Sequence, residues 1–163
     1  MKTAIYAGSF DPFTNGHLNI LNHASSIFNK VYVMVMTNPK KSRLLYHECA
    51  TQLIKDIVEN KNLNNVEVVT PQSGLLYLEA QRLKCDYIVR GIRNNGLDYS
   101  YEENLADFNK EVGGINTIFF RADTDKNVSS TMIKTLLQSR QDISKYVPRK
   151  VAQYFEQGYK KWL

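Results

Sequence analysis

The stretch AIYAGSFDPFTNGH, residues 4–17, contains the pattern that decides the fold. Its first four residues are apolar, which is typical of a short buried strand, and they give way at once to glycine, serine, aspartate, proline and asparagine. Apolar residues then recur at helical spacing after His17. A loop between a strand and a helix N-terminus, where backbone N–H groups are unpaired, favours an anionic ligand. The stretch therefore predicts a strand, a ligand-binding loop and a helix.

His17 admits two interpretations on this pattern alone. The unpaired N–H groups and the positive end of the helix dipole would lower the pKa of its imidazole, which would leave a neutral ring that donates through one N–H. Alternatively, His17 is an ordinary residue of the first helical turn. His23 and His47 lie within helical segments without such neighbours, and we interpret them as surface or packing residues.

Short apolar runs alternate with segments of helical period along the whole chain. The strand candidates are residues 3–7, 31–36, 66–69, 87–89 and 117–120. Most are apolar on both faces, as are strands of a parallel sheet that helices cover. From Ser129 onward the pattern is helical, with Pro148 placed to begin the last helix. The order predicts an α/β fold: a Rossmann-like doubly wound sheet of five parallel strands, helices on both faces and a helical C-terminus, in one domain over residues 1–163.

The composition limits the classes of partner. The chain has 163 residues and a net charge of +5, which favours anionic ligands. Its basic residues are spread along the chain, whereas a nucleic-acid-binding surface usually clusters them, so we expect no nucleic-acid partner. No apolar run approaches the roughly 20 residues that span a bilayer, and we expect no membrane partner. Cys49 and Cys85 match no metal-ligand spacing, and a reducing cytoplasm is the expected location.

Four of the five strand candidates are followed by loops rich in glycine, hydroxyl groups and cations: residues 8–17, 37–43, 90–96 and 121–131. Because the carboxyl ends of parallel strands lie at one edge of the sheet, these loops should surround a single pocket. A cationic pocket lined by hydroxyl groups suits a polyphosphate. The first loop matches neither G-x-G-x-x-G nor the P-loop pattern, so the phosphate site must have a different design.

The cations and hydroxyls of these loops have alternative interpretations. Lys41 belongs to a basic stretch that is either a solvated loop or a ligand site. Arg90 and Arg93 flank a glycine directly after a strand, and their planar forks could grip two phosphates; a surface turn is the alternative. The hydroxyl residues 129–131 could cap a helix, bind phosphate, or do both. The acidic residues among 98–103 could begin a helix.

Together these motifs resemble those of the phosphopantetheine adenylyltransferases, a family of the nucleotidyltransferase superfamily whose signature is (H/T)-x-G-H. The signature is present as TNGH, residues 14–17, inside the longer family pattern G-(S/T)-F-D-P-x-T-x-G-H. The pattern R-G-(L/I)-R matches residues 90–93, D-(F/Y)-x-Y-E matches 98–102, and the usual I-S-S-(S/T) is VSST at 128–131. The resemblance covers essentially the whole chain, in order and spacing.

The resemblance implies reversible transfer of AMP from ATP to 4'-phosphopantetheine, which yields dephospho-coenzyme A and pyrophosphate during coenzyme A synthesis. It implies catalytic roles for His17, Lys41 and Arg90. Phosphopantetheine would contact Ser9, Lys41, Leu76 and Arg90. ATP would contact Ser9, Phe10, His17, Gly91, Ile92, Arg93, Glu102, Asp125, Lys126, Asn127, Val128, Ser129, Ser130 and Thr131. The family also implies a homohexamer in the cytoplasm, and Mg²⁺ that is carried with ATP without a dedicated set of protein ligands.

The chain departs from the family's pattern at four places. Residues 94–97 form a spacer one residue longer than usual, which affects the register at Glu102. Residues 123–127 lack the aromatic residue often found there, so the adenine contacts of this stretch are an open point. Cys49 stands where an arginine is expected, and the placement of Leu76 depends on a gap in the preceding loop.

Three other functions stay open at this point. Within the same superfamily the acceptor could be nicotinamide mononucleotide or glycerol 3-phosphate, with an adenylyl or cytidylyl group transferred. The protein could be a non-catalytic nucleotide sensor of the same fold, which would bind ATP and release no pyrophosphate. It could also be an RNA-binding module that uses its positive charge, which predicts salt-dependent affinity for RNA.

Overall fold

The chain forms a parallel β-sheet with helices packed on both faces. The structure is a computed structural model that describes residues 1–93, 96–123 and 126–160. The strands within these ranges are β1 (Thr3–Gly8), β2 (Lys30–Val35), β3 (Val66–Val69), β4 (Tyr87–Gly91) and β5 (Asn116–Phe120). The helices within them are α1 (Asn15–Ile27), α2 (His47–Asn60), α3 (Leu76–Arg82), α4 (Gly96–Gly113), α5 (Ser130–Gln138) and α6 (Arg149–Lys160).

The strands of the described chain pair in the order β3-β2-β1-β4-β5, and every pair is parallel. β1 is central, since Ile5 pairs with Tyr32 of β2 on one side and with Ile88 of β4 on the other. Because the strand order reverses at β1, the connections that follow β1 and β4 run to opposite faces of the sheet and leave a crevice between them. The predicted doubly wound parallel sheet is confirmed.

The predicted strands are all present, and β3 has the predicted bounds. The other strands differ from the prediction by one or two residues at their ends. β1 continues to Gly8 and β4 to Gly91 because their backbones pair with Val35 and Phe120. These extensions carry the two central strands directly into the loops that were predicted to bind a ligand.

Two apolar layers cover the sheet. Alternate residues of β1 belong to different layers, as the period of two of a strand requires. Ala4 and Tyr6 pack with side chains from α1, α2, α5 and α6 in the larger layer. Ile5 and Ala7 pack in the smaller layer with Leu76 of α3, beside which α4 lies. Burial of each Leu, Ile or Phe side chain contributes about 1.5–3 kcal/mol, so this two-sided core holds the carboxyl end of β1 in place.

Two helix starts follow the predicted capping chemistry. The hydroxyl of Ser129 accepts a hydrogen bond from the N–H of Met132, and α5 begins at the residue after Ser129. α6 begins at Arg149, directly after Pro148, whose carbonyl accepts the N–H of Val151. Among the helices of the described ranges, none combines the length and the apolar composition that a membrane span requires.

Candidate active site

A cavity of about 580 Å³ lies at the carboxyl edge of the sheet, around the ends of β1 and β4. All four predicted loops contribute to it, together with the start of α3 and one side of α4. The predicted site residues that line it are Ser9, Phe10, His17, Lys41, Leu76, Arg90, Gly91, Ile92, Arg93, Glu102, Asn127, Val128, Ser129, Ser130 and Thr131. Lys126 is exposed and lies outside this lining, because its backbone rather than its side chain packs against α1; Asp125 lies outside the described residues.

The TNGH segment forms an interlocked helix start. Thr14 is the N-cap of α1: its hydroxyl accepts the N–H of His17 at 3.3 Å and donates to the carbonyl of Val128 at 3.1 Å. The N–H of Thr14 donates to Nδ1 of His17 at 3.0 Å. Because Nδ1 accepts this bond, a neutral imidazole carries its proton on Nε2. The cap therefore selects the tautomer and leaves Nε2–H as the free donor of a residue that lines the cavity.

The surroundings of His17 keep its imidazole neutral. Its ring centroid lies 5.1 Å from that of Phe10, edge to face, and 5.4 Å from that of Phe13. Part of the residue is accessible from the cavity, but these rings enclose it on the protein side. Burial, and then the positive charges of Arg93 and Arg90, lower the pKa of His17 from 6.5 to about 3. At neutral pH His17 is thus a hydrogen-bond donor without charge, as the first of the two interpretations of its sequence position predicts.

Gly16 allows the loop after β5 to approach the start of α1. A Cβ at this position would lie 2.7 Å from the carbonyl oxygen of Lys126 and 3.2 Å from that of Val128. We expect Gly16→Ala to displace this backbone, which should lower the free energy of unfolding by about 1–3 kcal/mol. Urea unfolding measures this effect.

The matched control for this prediction is Gly158→Ala. A Cβ on Gly158, which lies within α6, would meet no atom within 4 Å. Alanine also has the higher helix propensity, so this variant should unfold no more easily than the wild type. If Gly16→Ala behaved in the same way, the packing role assigned to Gly16 would be wrong.

Arg90 and Glu102 form a buried ion pair in the cavity wall. Nε and Nη2 of Arg90 donate to the two carboxylate oxygens of Glu102, each at 2.9 Å, and Nη1 donates to the carbonyl of Ala7 at 2.6 Å. Burial acts to lower the pKa of Arg90, but the Glu102 carboxylate outweighs it and holds the pKa above the usual value. The pair fixes α4 to the end of β4 and keeps Arg90 charged.

This pairing changes the predicted use of the two arginine forks. The paired edge of Arg90 faces a carboxylate rather than a phosphate, because Glu102 of α4 lies across the end of β4. One N–H on Nη1 and one on Nη2 have no partner among the described residues and stay available to a ligand. Arg93 donates from its backbone N–H and from Nη2 to Asp98, each at 3.3 Å, and its side chain is half-exposed. The two arginines of the R-G-I-R motif therefore have fewer free N–H groups for a ligand than the sequence predicts.

Asp11 joins its own loop to the segment between β2 and α2 and to α5, a role that the sequence interpretation missed. Its carboxylate is 3% exposed and accepts the N–H groups of Leu44 and Leu45, each at 2.8 Å. Nζ of Lys134 in α5 lies 3.1 Å from it, and Nη2 of Arg43 lies 3.9 Å from it. Burial acts to raise the pKa of Asp11, but the two amides and Lys134 outweigh it and hold the pKa below the usual 3.8. The available signal was its place in G-S-F-D-P, which we interpreted as a turn.

Asp11→Asn should destabilise the protein at neutral pH, because an uncharged amide would replace a carboxylate with three bound donors. We expect the free energy of unfolding at pH 7 to fall by about 2–3 kcal/mol. The folded-state pKa of Asp11 lies below its unfolded value, so this stabilisation is present above about pH 4 and is lost as the pH falls through the folded-state pKa. Urea unfolding of both proteins from pH 7 to pH 3 measures the difference, and a difference that stayed constant over that range would contradict the assignment.

The hydroxyl cluster of residues 129–131 is used partly by the protein itself. Ser129 caps α5, and the hydroxyl of Ser130 donates to the carbonyl of Pro12 at 2.9 Å. The N–H groups of Ser130 and Thr131 belong to the first turn of α5, where no intrahelical acceptor exists. Capping is therefore confirmed. Within the described chain the Ser129 hydroxyl accepts a bond without donating one, so its O–H and the first-turn N–H groups are left as donors for a ligand.

Apolar residues line the part of the cavity next to α3 and α4, two helices in contact, and we call this part its apolar end. They are Leu75 and Leu76 at the start of α3, with Leu105 and Phe108 of α4, and the buried Asn109 of α4 lies beside them. Nothing in the sequence around Leu105 and Phe108 indicates that they border a cavity. Asn109 was missed because a single amide within a helix has no distinctive pattern.

A second buried carboxylate shapes the loop that leads to α3. Glu79 is 1% exposed, accepts the N–H groups of Gln72 and Ser73, and pairs with Arg82. The loop that it holds continues into Gly74, which lines the cavity. Glu79 was also missed, since its partners are backbone N–H groups, which leave no signature in the sequence.

Comparison with known proteins agrees with this geometry. Residues 5–136 match the cytidylyltransferase-like family. The phosphopantetheine adenylyltransferase of Lactobacillus acidophilus is 40% identical over 154 residues, which cover 93% of this chain and 94% of the relative. That of Streptococcus suis is 38% identical and covers 98% of both chains. The chain belongs to the phosphopantetheine adenylyltransferase family.

Solved structures extend the agreement to the fold of this phosphopantetheine adenylyltransferase family member. A putative nicotinate-nucleotide adenylyltransferase from Vibrio parahaemolyticus has a TM-score of 0.66 at 18% identity, covering 95% of this chain and 91% of its own. The nicotinic acid mononucleotide adenylyltransferase of Plasmodium falciparum has a TM-score of 0.65 at 15% identity, covering 98% and 96%. At such identities the likeness confirms the Rossmann-like fold and carries no argument about the acceptor.

Two departures from the phosphopantetheine adenylyltransferase pattern have defined places in the structure. The lengthened spacer includes Asn94 and Asn95, which lie outside the described residues, yet Glu102 beyond it still lines the cavity. Cys49 lies outside the cavity lining, half-buried at the edge of the larger apolar layer. Its interaction with the hydroxyl of Tyr154 raises the pKa of that tyrosine. Cys49 therefore has its place beside α6 rather than in the cavity lining.

Proposed function

We propose that the protein transfers the AMP group of ATP to 4'-phosphopantetheine, forming dephospho-coenzyme A and pyrophosphate in coenzyme A synthesis. The observation that carries the proposal is a single cavity lined by a neutral histidine donor, Lys41 and the Arg90–Glu102 pair. Relatives that match nearly the full chain are named for phosphopantetheine, so nicotinamide mononucleotide and glycerol 3-phosphate are not favoured as acceptors.

The reaction is a displacement at the α-phosphorus of ATP. An oxygen of the acceptor's phosphate monoester forms the new bond to this phosphorus, and the bond from the phosphorus to the bridging oxygen of the leaving pyrophosphate breaks. A phosphate monoester has a second pKa near 6, so it is largely dianionic at neutral pH and needs no general base. This agrees with a site whose histidine is neutral and acts as a donor. The rate enhancement would come from alignment and from donors directed at the developing charge.

The polar groups of the cavity have distinct proposed roles. Nε2–H of His17 would donate to the α-phosphate, whose negative charge increases as the phosphorus becomes five-coordinate. Lys41 and the unpaired N–H groups of Arg90 would hold the acceptor's phosphate close to it. Arg93 and the first-turn N–H groups of α5 would bind the β- and γ-phosphates. Ser9, which lies between β1 and the start of α1, would contact both substrates.

The apolar end of the cavity would take the pantetheine arm. That arm contains two amides and two methyl groups on one carbon, so it needs both apolar walls and occasional polar partners. Leu76, Leu105 and Phe108 supply the walls, and the buried amide of Asn109 supplies a polar group. Phe10 and Ile92 would contact the nucleotide on the other side.

Magnesium would enter with ATP. No three metal-ligating side chains lie together in the described parts of the chain, and the cavity carboxylates Asp98 and Glu102 are paired with Arg93 and Arg90. This set of donors does not fit a protein-built metal site, so no step is assigned to a metal held by the protein. The described cavity lining has a net charge of +1, from Lys41, Arg90 and Arg93 together with the carboxylates of Asp98 and Glu102. This positive charge is small compared with the negative charge of a triphosphate. A divalent cation on the phosphate oxygens would neutralise much of the remainder.

The family resemblance also supports a homohexamer in the cytoplasm. Leu78 of α3 and Val112 of α4 are exposed apolar side chains outside the cavity lining, on two helices that pack together. Exposed apolar side chains that lie close together commonly mark an interface between subunits. Sedimentation velocity should give six times the mass of one chain, and a monomer at micromolar concentration would contradict the assembly.

The proposed activity is tested by incubating the protein with ATP, Mg²⁺ and 4'-phosphopantetheine. We expect a product with the mass of dephospho-coenzyme A and one pyrophosphate released per product. Parallel reactions with nicotinamide mononucleotide, with glycerol 3-phosphate and with CTP in place of ATP test the other transferases. ATP binding without pyrophosphate release from any acceptor would indicate a nucleotide sensor instead. Salt-dependent RNA binding without turnover would favour the RNA-binding alternative.

The pH dependence of turnover should reflect the titration of the acceptor's phosphate group and not that of His17. Because the pKa of His17 is about 3, its protonation state stays constant at any pH used in the assay above about 5. The second pKa of the acceptor phosphate, near 6, predicts that kcat/KM for the acceptor falls about tenfold per pH unit below that value. His17→Gln should show the same inflection at a lower rate. An inflection that disappeared in this variant would mean that His17 itself titrates in the assay range.

A further inference from the structure

One side of α1 contacts the described residues between β5 and α5, 121–123 and 126–129, which we call the β5–α5 loop. Nδ2 of Asn19 donates to Oδ2 of Asp123 at 3.0 Å, and the N–H of Asp123 donates to Oδ1 of Asn19 at 2.9 Å. Nε2 of His23 lies 3.5 Å from Oδ1 of Asp123, and the His23 ring is parallel to that of Phe120 with centroids 6.4 Å apart. Asn19 and Asp123 therefore form a closed pair of reciprocal hydrogen bonds between elements that are distant in sequence.

The same loop also meets α1 close to the cavity. The hydroxyl of Thr14 donates to the carbonyl of Val128 at 3.1 Å, and the carbonyl of Lys126 occupies the space next to Gly16. Residues 127–131 then line the cavity. The β5–α5 loop is thus attached to α1 at Asp123 and again at Lys126 and Val128, and the N–H of Lys126 donates to the carbonyl of Asp123 at 2.8 Å. The Asn19–Asp123 pair is the attachment closer to β5.

We propose that Asp123, held by Asn19, is a positioning residue for the nucleotide substrate. The inference rests on the proposed function, in which residues 127–131 bind the triphosphate. Asp123 itself lies outside the residues that line the cavity, so it would act by placing the β5–α5 loop and not by touching the ligand. A loop that is already placed loses less conformational entropy when a ligand binds. The pair should therefore strengthen ATP binding.

Acceptor binding should not depend on the pair. Apart from Ser9 in the loop after β1, which would contact both substrates, the groups assigned to the acceptor belong to the loop after β2 and to β4, α3 and α4. The Asn19–Asp123 hydrogen bonds attach the β5–α5 loop to α1 instead. We therefore expect a substitution that disturbs only this attachment to alter the Kd for ATP and to leave the KM for phosphopantetheine unaltered. A general loss of stability would alter both constants.

The test is a series of variants in which the side chains of Asn19 and Asp123 are changed singly and then exchanged. Asn19→Asp places two carboxylates face to face and should open the pair. Asp123→Asn leaves an amide that can still accept from Asn19, so it should change little. The double variant Asn19→Asp/Asp123→Asn restores one amide and one carboxylate in reversed positions and has the net charge of the wild type. Asn22→Asp is the matched control, because Asn22 is an exposed residue of α1 and the chemical change is the same.

We expect Asn19→Asp to raise the Kd for ATP, measured calorimetrically without acceptor, by about 3- to 10-fold. Asp123→Asn and Asn22→Asp should stay within about twofold of the wild type, and the double variant should return to the wild-type Kd. The KM for phosphopantetheine should be the same in all five proteins. Thermal unfolding of each variant records any general loss of stability.

Three results would overturn the inference. If the effect were only long-range electrostatics, Asp123→Asn would bind ATP more tightly, by the same factor by which Asn19→Asp weakens binding. Asn22→Asp would then raise the Kd for ATP as much as Asn19→Asp does. A double variant as weak as Asn19→Asp would exclude the reciprocal pair. Equal changes in the Kd for ATP and in the KM for phosphopantetheine would indicate a general structural effect.

The wild type distinguishes a failure of this inference from a failure of the proposed function. If the wild type binds ATP but makes no product, the proposed function is refuted, while the Kd series still tests the positioning role. If the wild type does not bind ATP, both are refuted.

Discussion

His17→Ala is expected to lower kcat by about 10²–10³-fold while the variant still folds and binds ATP. The lost group is Nε2–H, which the Thr14 cap leaves free because the N–H of Thr14 occupies Nδ1. A donor that bonds the α-phosphate most strongly in the five-coordinate transition state affects kcat more than ATP binding. The alanine also removes a capping hydrogen bond, so the free energy of unfolding should fall by about 0.5–1.5 kcal/mol. Pyrophosphate release, ATP titration and urea unfolding measure the three quantities.

His17→Gln separates the chemical role of this residue from its capping role. A glutamine at the third position of α1 can accept the N–H of Thr14 through Oε1, as in an ordinary capping box, and can offer Nε2–H to the cavity. This variant should unfold like the wild type and retain more turnover than His17→Ala. Turnover of the alanine variant at the wild-type level would remove His17 from the mechanism. If both variants failed to fold, the role of His17 would be structural.

Arg90→Ala is expected to affect both stability and acceptor use. Without the guanidinium, Glu102 becomes an unpaired carboxylate whose side chain is 8% exposed, and the carbonyl of Ala7 loses its donor. Breaking a buried pair in this way lowers the free energy of unfolding by about 3–5 kcal/mol. The loss of a charged donor to the acceptor phosphate should also lower kcat/KM for phosphopantetheine by about 10²-fold or more. Urea unfolding and acceptor kinetics measure the two effects.

The double variant Arg90→Ala/Glu102→Ala distinguishes the two effects of Arg90. Removal of both charges leaves no buried unpaired carboxylate, so much of the lost stability should return. Acceptor kcat/KM should stay low, because the donor to the phosphate is still missing. Recovery of turnover in the double variant would mean that Arg90 acts by neutralising Glu102. Acceptor KM and kcat at wild-type values in Arg90→Ala would contradict any contact with the acceptor.

The sheet could be predicted from the sequence because buried parallel strands are continuous apolar runs. Residues 4–7 of β1 illustrate this, since all four are apolar and all four are buried. Both ends of β3 were also predicted correctly. The errors lie where a strand end depends on its neighbour. β4 continues to Gly91 because Gly91 pairs with Phe120 of β5, and nothing in the residues around Gly91 specifies that pairing.

The cavity could be predicted in outline, and its internal contacts could not. Parallel topology brings the loops after the strands to one edge of the sheet, so the motifs predict that His17, Lys41 and Arg90 share one cavity, and all three line it. The carboxylates that hold these loops, Asp11 and Glu79, were missed because they bind backbone N–H groups of other segments. Backbone N–H groups are the same at nearly every position, so they leave no mark in the sequence.

By itself the sequence determined the order of strands and helices, the cap at Thr14 and the loops that carry the cations. These features depend on residues within a few positions of one another, through apolar period, turn formation and capping. The tertiary structure alone decided that Arg90 pairs with Glu102, that Asp11 binds the loop after β2, and that the side chain of Lys126 lies outside the cavity. The physical reason is that the partner of a charge is the group nearest to it in space, and packing sets that distance.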